Sequence, residues 1–255
     1  MSVLVSGDLP IIHENADLLV INKPAGLVCH PSKDGPMSSL IGRVRLYLDG
    51  QSGPHLVNRL DRETSGITLV AKTDAAAREL RQTWEKRQVE KEYLAIVHGH
   101  VSEEHGTIDA PLGKDESSRV AIKDCVRADG LASQTEFFVR RRFFKRTGNA
   151  GPPRPFSLLR ARPRTGRKHQ IRIHLAFMGH PIVGDKIYGE DEDLYLALVE
   201  GRLNEEQRRT LILPYQALHA RAVRFPWRGK PVEFCCEPEP WFIEFAEWKS
   251  DPFNS

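Results

Sequence analysis

Apolar runs and polar interruptions alternate along the chain in a way that predicts its main elements. Asp17-Leu-Leu-Val-Ile-Asn22 is a short apolar run stopped by Lys23-Pro24-Ala-Gly26, the pattern of a buried strand entering a turn. Gly66 to Lys72 is a second strand. Thr73-Asp74 then supplies capping chemistry for a helix through Gln88, with Ala76, Leu80 and Trp84 on one face. Lys91 to His98 reads as a strand stopped by Gly99. Ser133 to Phe143 and Phe156 to Arg162 read as two more, joined by the loop chemistry of Thr147-Gly-Asn-Ala-Gly-Pro-Pro153. After Thr165-Gly166 the period becomes helical through Ile171, Leu175 and Met178, and Gly179 and Pro181 end it. Asp191 to Leu213 reads as a charged, helical surface excursion. Ala217 to Phe225 and Val232 to Cys236 are late strands, and the tail with Trp241 and Trp248 is a terminal helix. Strands and helices interleave without a βαβ rhythm, which predicts an α+β fold. The absence of a fixed-period repeat excludes solenoids and propellers.

Composition adds bounds. With 255 residues and 40% hydrophobic positions the chain can bury a real core, as one large domain or two small ones. No uninterrupted apolar stretch reaches the roughly 18 residues of a membrane helix, and Met1 to Pro10 has no basic residue of a secretory signal. Cys29, Cys125, Cys235 and Cys236 form no C-x-x-C pair, so reduced thiols and a cytoplasmic location are expected.

The net charge of +3 conceals an uneven distribution. Phe137 to Gly184 holds no Asp or Glu but twelve cations: Arg140, Arg141, Arg142, Lys145, Arg146, Arg154, Arg160, Arg162, Arg164, Arg167, Lys168 and Arg172. Removing these twelve from the 37 basic residues leaves 25 against 34 acidic ones. Such asymmetry points to a polyanion, nucleic acid first. The alternative is a basic segment whose acidic neighbours are supplied in space.

The segment richest in chemistry is Asn58-Arg-Leu-Asp-Arg-Glu-Thr-Ser-Gly66. Asp61 lies between Arg59 and Arg62, and flanking cations favour the ionised carboxylate. An ionised, positioned carboxylate suits attack on a sugar anomeric carbon; the same triplet also suits a structural ion-pair loop. Glu63 is the nearest second carboxylate. His98-Gly-His100 and the pair His169 and His174 match no zinc spacing, and no glycine-rich phosphate loop is present.

In this setting the Asn58–Gly66 segment resembles the catalytic loop of RNA pseudouridine synthases of the RluA group. Further segments match that family in order. They are Val20-Ile-Asn-Lys-Pro-Ala-Gly26 with His30-Pro31, Lys91-Glu-Tyr-Leu-Ala95, Arg164-Thr-Gly-Arg-Lys-His-Gln-Ile-Arg172 with Ile173-His174-Leu175, and Gly179-His-Pro-Ile-Val-Gly-Asp185 with Gln216-Ala-Leu-His-Ala220. Together they span residues 11–235, nearly the whole chain.

The resemblance implies a pseudouridine synthase fold, with a mixed, mostly antiparallel central sheet flanked by helices and loops. It implies a single catalytic domain over residues 1–255, without the small S4-type RNA-binding domain that precedes it in many relatives. Asp61 is then the nucleophile: it attacks the target uridine, at C1′ or C6, and the base detaches, turns and rejoins through C5. No separate leaving-group acid is needed, which makes Glu63 structural. Tyr93 corresponds to the tyrosine that packs on the base and helps remove the C5 proton. Arg172 corresponds to the arginine that pairs with the carboxylate, and Ile173 would form an apolar floor under the uracil.

By the same resemblance Arg59 takes the flipped base's place in the stack, recovering part of the few kcal/mol that extraction costs, and Arg62 touches phosphate or Asp61. Arg164, Arg167, Lys168 and His169 are the expected RNA-backbone contacts, with Arg140 to Arg146 as a second strip. Many relatives carry His where this chain has Asn58, so a titrating imidazole has no role at that point. The expected function is isomerisation of specific uridines in structured rRNA or tRNA, by a monomer without metal, nucleotide or other cofactor. The alternatives are a non-catalytic RNA-binding or RNA-chaperone protein using the same cleft, and a nucleosidase that releases the base.

Overall fold

The computed structural model describes residues 9–30, 35–49, 53–148, 151–189 and 191–247; Pro31, Asn149, Ala150 and Trp248, named above, lie outside them. The chain divides into two compact units. One takes the residues up to Lys91 together with those from His219 onward, and the other runs from Glu92 to Leu218.

In the first unit, β1 (Ile11–Glu14) pairs antiparallel with β2 (Leu18–Lys23), the predicted apolar run. Sequence patterning does not foresee the next two elements. They are α1 (Leu40–Tyr47), capped by the Ser39 hydroxyl on the Gly42 N–H, and the two-residue β3 (His55–Leu56). β4 (Ser65–Ala71) pairs antiparallel with β2 along its length and with β3 at Val70 and Ala71. Leu18 to Ile21 and the whole of β4 are buried, so both strands read as continuous apolar stretches, not alternations. α2 (Asp74–Glu85) starts where expected, with Thr73 Oγ1 accepting the Ala76 N–H at 3.2 Å. It stops short of Gln88 because Arg87 takes a left-handed φ of 54°. Its Ala76, Leu80 and Trp84 face packs on Leu18, Val20, Ile67 and Leu69.

The second unit opens in β5 (Glu90–His98) and continues through β6 (His105–Asp109), β7 (Leu112–Lys114), β8 (Asp124–Val126), β9 (Gln134–Lys145) and β10 (Arg154–Pro163). β5, β10, β9 and β6 lie side by side in that order, all antiparallel, while β7 and β8 form a separate ribbon. α3 (Gln170–Phe177) follows the predicted helical period. The charged excursion resolves into α4 (Asp193–Val199) and α5 (Glu205–Leu211), the latter with a reciprocal capping box between Asn204 and Gln207.

The chain then returns to the first unit as β11 (Leu218–Trp227), β12 (Lys230–Cys235) and α6 (Pro240–Ala246). β11 runs parallel to β4, His219 against Ser65 and Ala220 against Gly66. Gly66 is required there: its φ is 112°, and a Cβ would collide with the Ala220 carbonyl. Every other strand pairing given above is antiparallel, and with the six helices among the described residues the class is α+β, as expected.

Candidate active site

Asp61 lies between β3 and β4 on a loop whose backbone is gripped by side chains of its own unit. Asn58 acts as one more rung beside β4: its Oδ1 accepts the Leu69 N–H at 2.8 Å and its Nδ2 donates to the Ile67 carbonyl at 3.1 Å. The buried Cys29 thiol donates to the Leu60 carbonyl and accepts the Leu60 N–H, both at 3.4 Å. Lys23, at the end of β2, is 0% exposed. Its ammonium donates to the carbonyls of Pro24 at 2.9 Å, Leu27 at 2.8 Å and Arg62 at 3.1 Å. Three acceptors match the three donors of an ammonium, which is what makes the burial tolerable. Burial still pushes Lys23 down to about 8, against the opposing pull of Cys29, Glu239 and Asp61. The Gly26 N–H also donates to the Arg62 carbonyl at 2.9 Å, and Arg62 Nε returns a bond to the Gly26 carbonyl at 3.2 Å. Asn58, Leu60 and Arg62 are thus held on either side of Asp61, while Arg59 is exposed.

In the second unit Tyr93 lies half-buried on β5, opposite Ala161 of β10. Arg172, on α3, is buried and forks onto Asp185, Nε to Oδ2 at 2.7 Å and Nη2 to Oδ1 at 2.8 Å. Burial alone would raise the Asp185 carboxyl. The Arg172 charge and hydrogen bonds from Arg172 and the N–H groups of Tyr188 and Ile187 outweigh it and hold the carboxyl below its ordinary value. The Arg172 guanidinium also sits 5.0 Å over the Tyr188 ring. The Tyr188 hydroxyl takes the Asp124 N–H at 3.2 Å and meets His169 Nδ1 at 2.9 Å. His169 precedes α3 in a left-handed conformation, φ 55°. Ile173 is buried in an apolar cluster with Leu112, Val120, Ile187 and Tyr188. Gln170 locks the preceding loop by accepting from the Thr165 hydroxyl at 2.6 Å and the Arg167 N–H at 3.0 Å.

The basic segment is partly neutralised in space. Arg142 pairs with Glu104, Arg160 and Arg162 with Glu92, Arg164 with Glu136 through two hydrogen bonds, Lys168 with Asp124, and Arg172 with Asp185. Each of these acids lies outside the acid-free stretch. Arg167 donates to the Ala132 carbonyl at 3.3 Å, and together with Lys168 it lines a cleft of about 380 Å³ beside Lys114, Asp124 and Arg127. Among the described residues no group of three or more His, Cys, Asp or Glu side chains is placed to hold a metal, and no helix is long and apolar enough to cross a membrane.

Sequence reasoning gave no role to Asp185, Lys23 or Cys29, although the first two stand inside the motifs it quoted. The available signal was a charged residue within an otherwise apolar or glycine-rich motif. Such a residue must be paired or coordinated if it is buried.

The profile of the RNA pseudouridylate synthase family matches residues 17–177. An uncharacterized RNA pseudouridine synthase of Bacillus subtilis (strain 168) is 35% identical over 235 residues, 89% of this chain and 68% of that one. The dual-specificity RNA pseudouridine synthase RluA of Yersinia pestis is 34% identical over 231 residues, 90% of this chain and 98% of that one. Among solved structures, human RNA pseudouridylate synthase domain containing 1 aligns with a TM-score of 0.73 at 29% identity, covering 96% of this chain and 89% of its own.

Proposed function

The chain belongs to the RNA pseudouridine synthase family, isomerases acting on RNA, and from that premise we propose that it converts specific uridines of structured ribosomal and transfer RNA to pseudouridine with Asp61 as nucleophile. The observation that carries the reading is the grip on residues 58, 60 and 62, which fixes the loop backbone on either side of the Asp61 carboxylate. A nucleophile held in place before substrate arrives needs no reorganisation during reaction. The dual specificity in the name of the Yersinia relative favours more than one RNA target as substrate.

Asp61 attacks C1′ of the ribose or C6 of the uracil, the N1–C1′ bond breaks, and the uracil stays bound as an anion. It turns and bonds to C1′ through C5, and the bond that Asp61 formed, at C1′ or at C6, breaks with its electron pair returning to the carboxylate. The C5 proton is then removed with help from Tyr93, and N1 ends protonated. Atoms and electrons balance within the nucleotide, so no redox partner, metal or nucleotide cofactor is required. Arg172, anchored by Asp185, keeps a fixed guanidinium available to the carboxylate chemistry, Arg59 fills the gap left in the stack, and Ile173 backs the uracil pocket. Arg62, Arg164, Arg167, Lys168 and His169 serve the RNA backbone. We take the working form to be a cytoplasmic monomer.

The test incubates purified protein with unmodified rRNA and tRNA transcripts and maps carbodiimide adducts by mass spectrometry. Adducts at defined uridines without base loss are expected, and Asp61→Asn should abolish them while leaving RNA binding intact. Released uracil would indicate a nucleosidase. Binding without adducts would indicate an RNA chaperone.

A further inference from the structure

Tyr188 is buried, 7% exposed, and two different parts of it hold two different groups of its unit. Its N–H donates at 3.0 Å to Asp185 Oδ1, in the carboxylate that forks onto Arg172. Its ring lies 5.0 Å from the Arg172 guanidinium. Asp185, Arg172 and Tyr188 therefore close a ring of contacts. The carboxylate fixes the guanidinium within its plane, and the aromatic face fixes it from one side. Burial pushes the phenol above its ordinary value, so it keeps its proton and serves as a surface and a hydrogen-bonding group, not as a base.

The hydroxyl serves another segment. It accepts the Asp124 N–H at 3.2 Å and meets His169 Nδ1 at 2.9 Å, and the two rings pack edge to face with centroids 5.6 Å apart. Asp124 Oδ2 in turn pairs with Lys168 Nζ at 2.9 Å. His169 has the left-handed φ of 55°. That conformation is uncommon for a residue with a side chain and persists only where its surroundings hold it. The Tyr188 hydroxyl is one such hold, acting on the residue between Lys168 and α3. A phenol does not bend between ring and oxygen, so the contacts to Arg172 and to residues 168 and 169 are rigidly connected.

We propose that Tyr188 is a positioning residue that ties the segment Arg167–His169 to Arg172, its hydroxyl setting the segment and its ring setting the guanidinium. This tie rests on the reading above, in which that segment meets the RNA backbone and Arg172 serves the reaction. RNA seated on residues 167–169 then finds the arginine already placed, and Tyr188 acts through its neighbours on both binding and turnover.

The test separates hydroxyl from ring, using the whole chain and an unmodified stem-loop RNA. Tyr188→Phe keeps the ring; it should weaken RNA binding and raise KM about fivefold, with at most about a twofold loss of kcat. In a His169→Ala background the same change should cost at most about twofold in affinity, because the contact is already gone. Fluorinated phenylalanines at position 188 keep the shape and drain the negative face of the ring. Across that series kcat should fall stepwise to about a tenth of the Tyr188→Phe value at constant KM. Val120→Ala, in the same apolar cluster, should lower the thermal midpoint and leave both constants at parental values. A full fivefold effect persisting in the His169→Ala background, or a kcat indifferent to fluorination, overturns the tie. A Val120→Ala that reproduces the losses does so too, since packing alone then explains them. A parent that binds RNA but makes no pseudouridine refutes the activity proposed above, and non-additive losses of affinity still support the hold on His169.

Discussion

The buried Lys23 ammonium donates to the Arg62 carbonyl at 3.1 Å, so the last residue of β2 fixes the backbone one position beyond Asp61. The same ammonium closes the Pro24–Leu27 turn. One side chain therefore couples the Lys-Pro-Ala-Gly turn to the Asp61 loop, two motifs separated by a long stretch of sequence.

Lys23→Met keeps the length of the side chain and removes its donors. Buried carbonyls left without a partner cost about 1–3 kcal/mol each, partly offset by relief from burying a charge. A lower unfolding free energy is expected, with kcat falling more than KM. The pH dependence should change as well. Lys23 is depressed to about 8 from 10.5, so between these values the unfolded chain binds more protons and stability rises with pH. Urea titrations across that window should show this rise in the parent and its loss in the variant.

Asn58→Ala removes the bonds to Leu69 N–H and the Ile67 carbonyl. A destabilisation of about 2 kcal/mol is expected from denaturant curves. Asn58→Asp keeps the acceptor for Leu69 but loses the donor to Ile67, and should fall between Ala and the parent.

Asp185→Ala leaves the buried Arg172 guanidinium without its forked partner. Breaking a buried pair on one side costs about 3–5 kcal/mol, so a clearly lower thermal midpoint and loss of turnover are expected. Asp185→Asn keeps the shape and one of the two accepting oxygens and should recover more stability than turnover. Equal recovery of both would show that Asp185 matters for packing alone.

His219 is buried, and burial pushes it down to about 4. Its Nε2 donates to the Cys236 carbonyl at 3.2 Å, and its Nδ1 therefore accepts from the Ser65 hydroxyl at 2.9 Å. The folded protein keeps this imidazole neutral, whereas the unfolded chain protonates near 6.5. Its contribution is present above that value and is lost as pH falls toward 4, on the order of 3 kcal/mol. His174, lowered mainly by burial, acts in the same direction. Calorimetry should show a steep loss of stability over this range, shallower in His219→Gln.

The local elements were legible in the chain itself. β2, β4 and α2 follow from apolar runs and one capping threonine, and α3 from a helical period ended by Gly179. Their signals are carried by neighbouring residues, and backbone geometry converts spacing directly into a face. α1 was missed because its apolar residues are mixed with exposed Leu46 and Tyr47, and the ribbon of β7 and β8 because strands of three residues carry no readable alternation.

The candidate site divides in the same way. Asp61 and its flanking arginines could be named as candidates from one nine-residue segment, because its residue order resembles the family's catalytic loop. The groups that hold it could not. Cys29 reaches Leu60 and Asn58 reaches Leu69 only after the strands have paired, and Arg172 finds Asp185 only once α3 has packed. Charge shows the contrast most sharply. A stretch without acids looks uniformly basic in sequence, yet Glu92, Glu104, Asp124, Glu136 and Asp185 are brought against it by the fold. Sequence determines which charges exist and how the backbone near each one prefers to run. Only tertiary packing decides their partners, because Coulomb and hydrogen-bond energies depend on distance in space and not on separation along the chain.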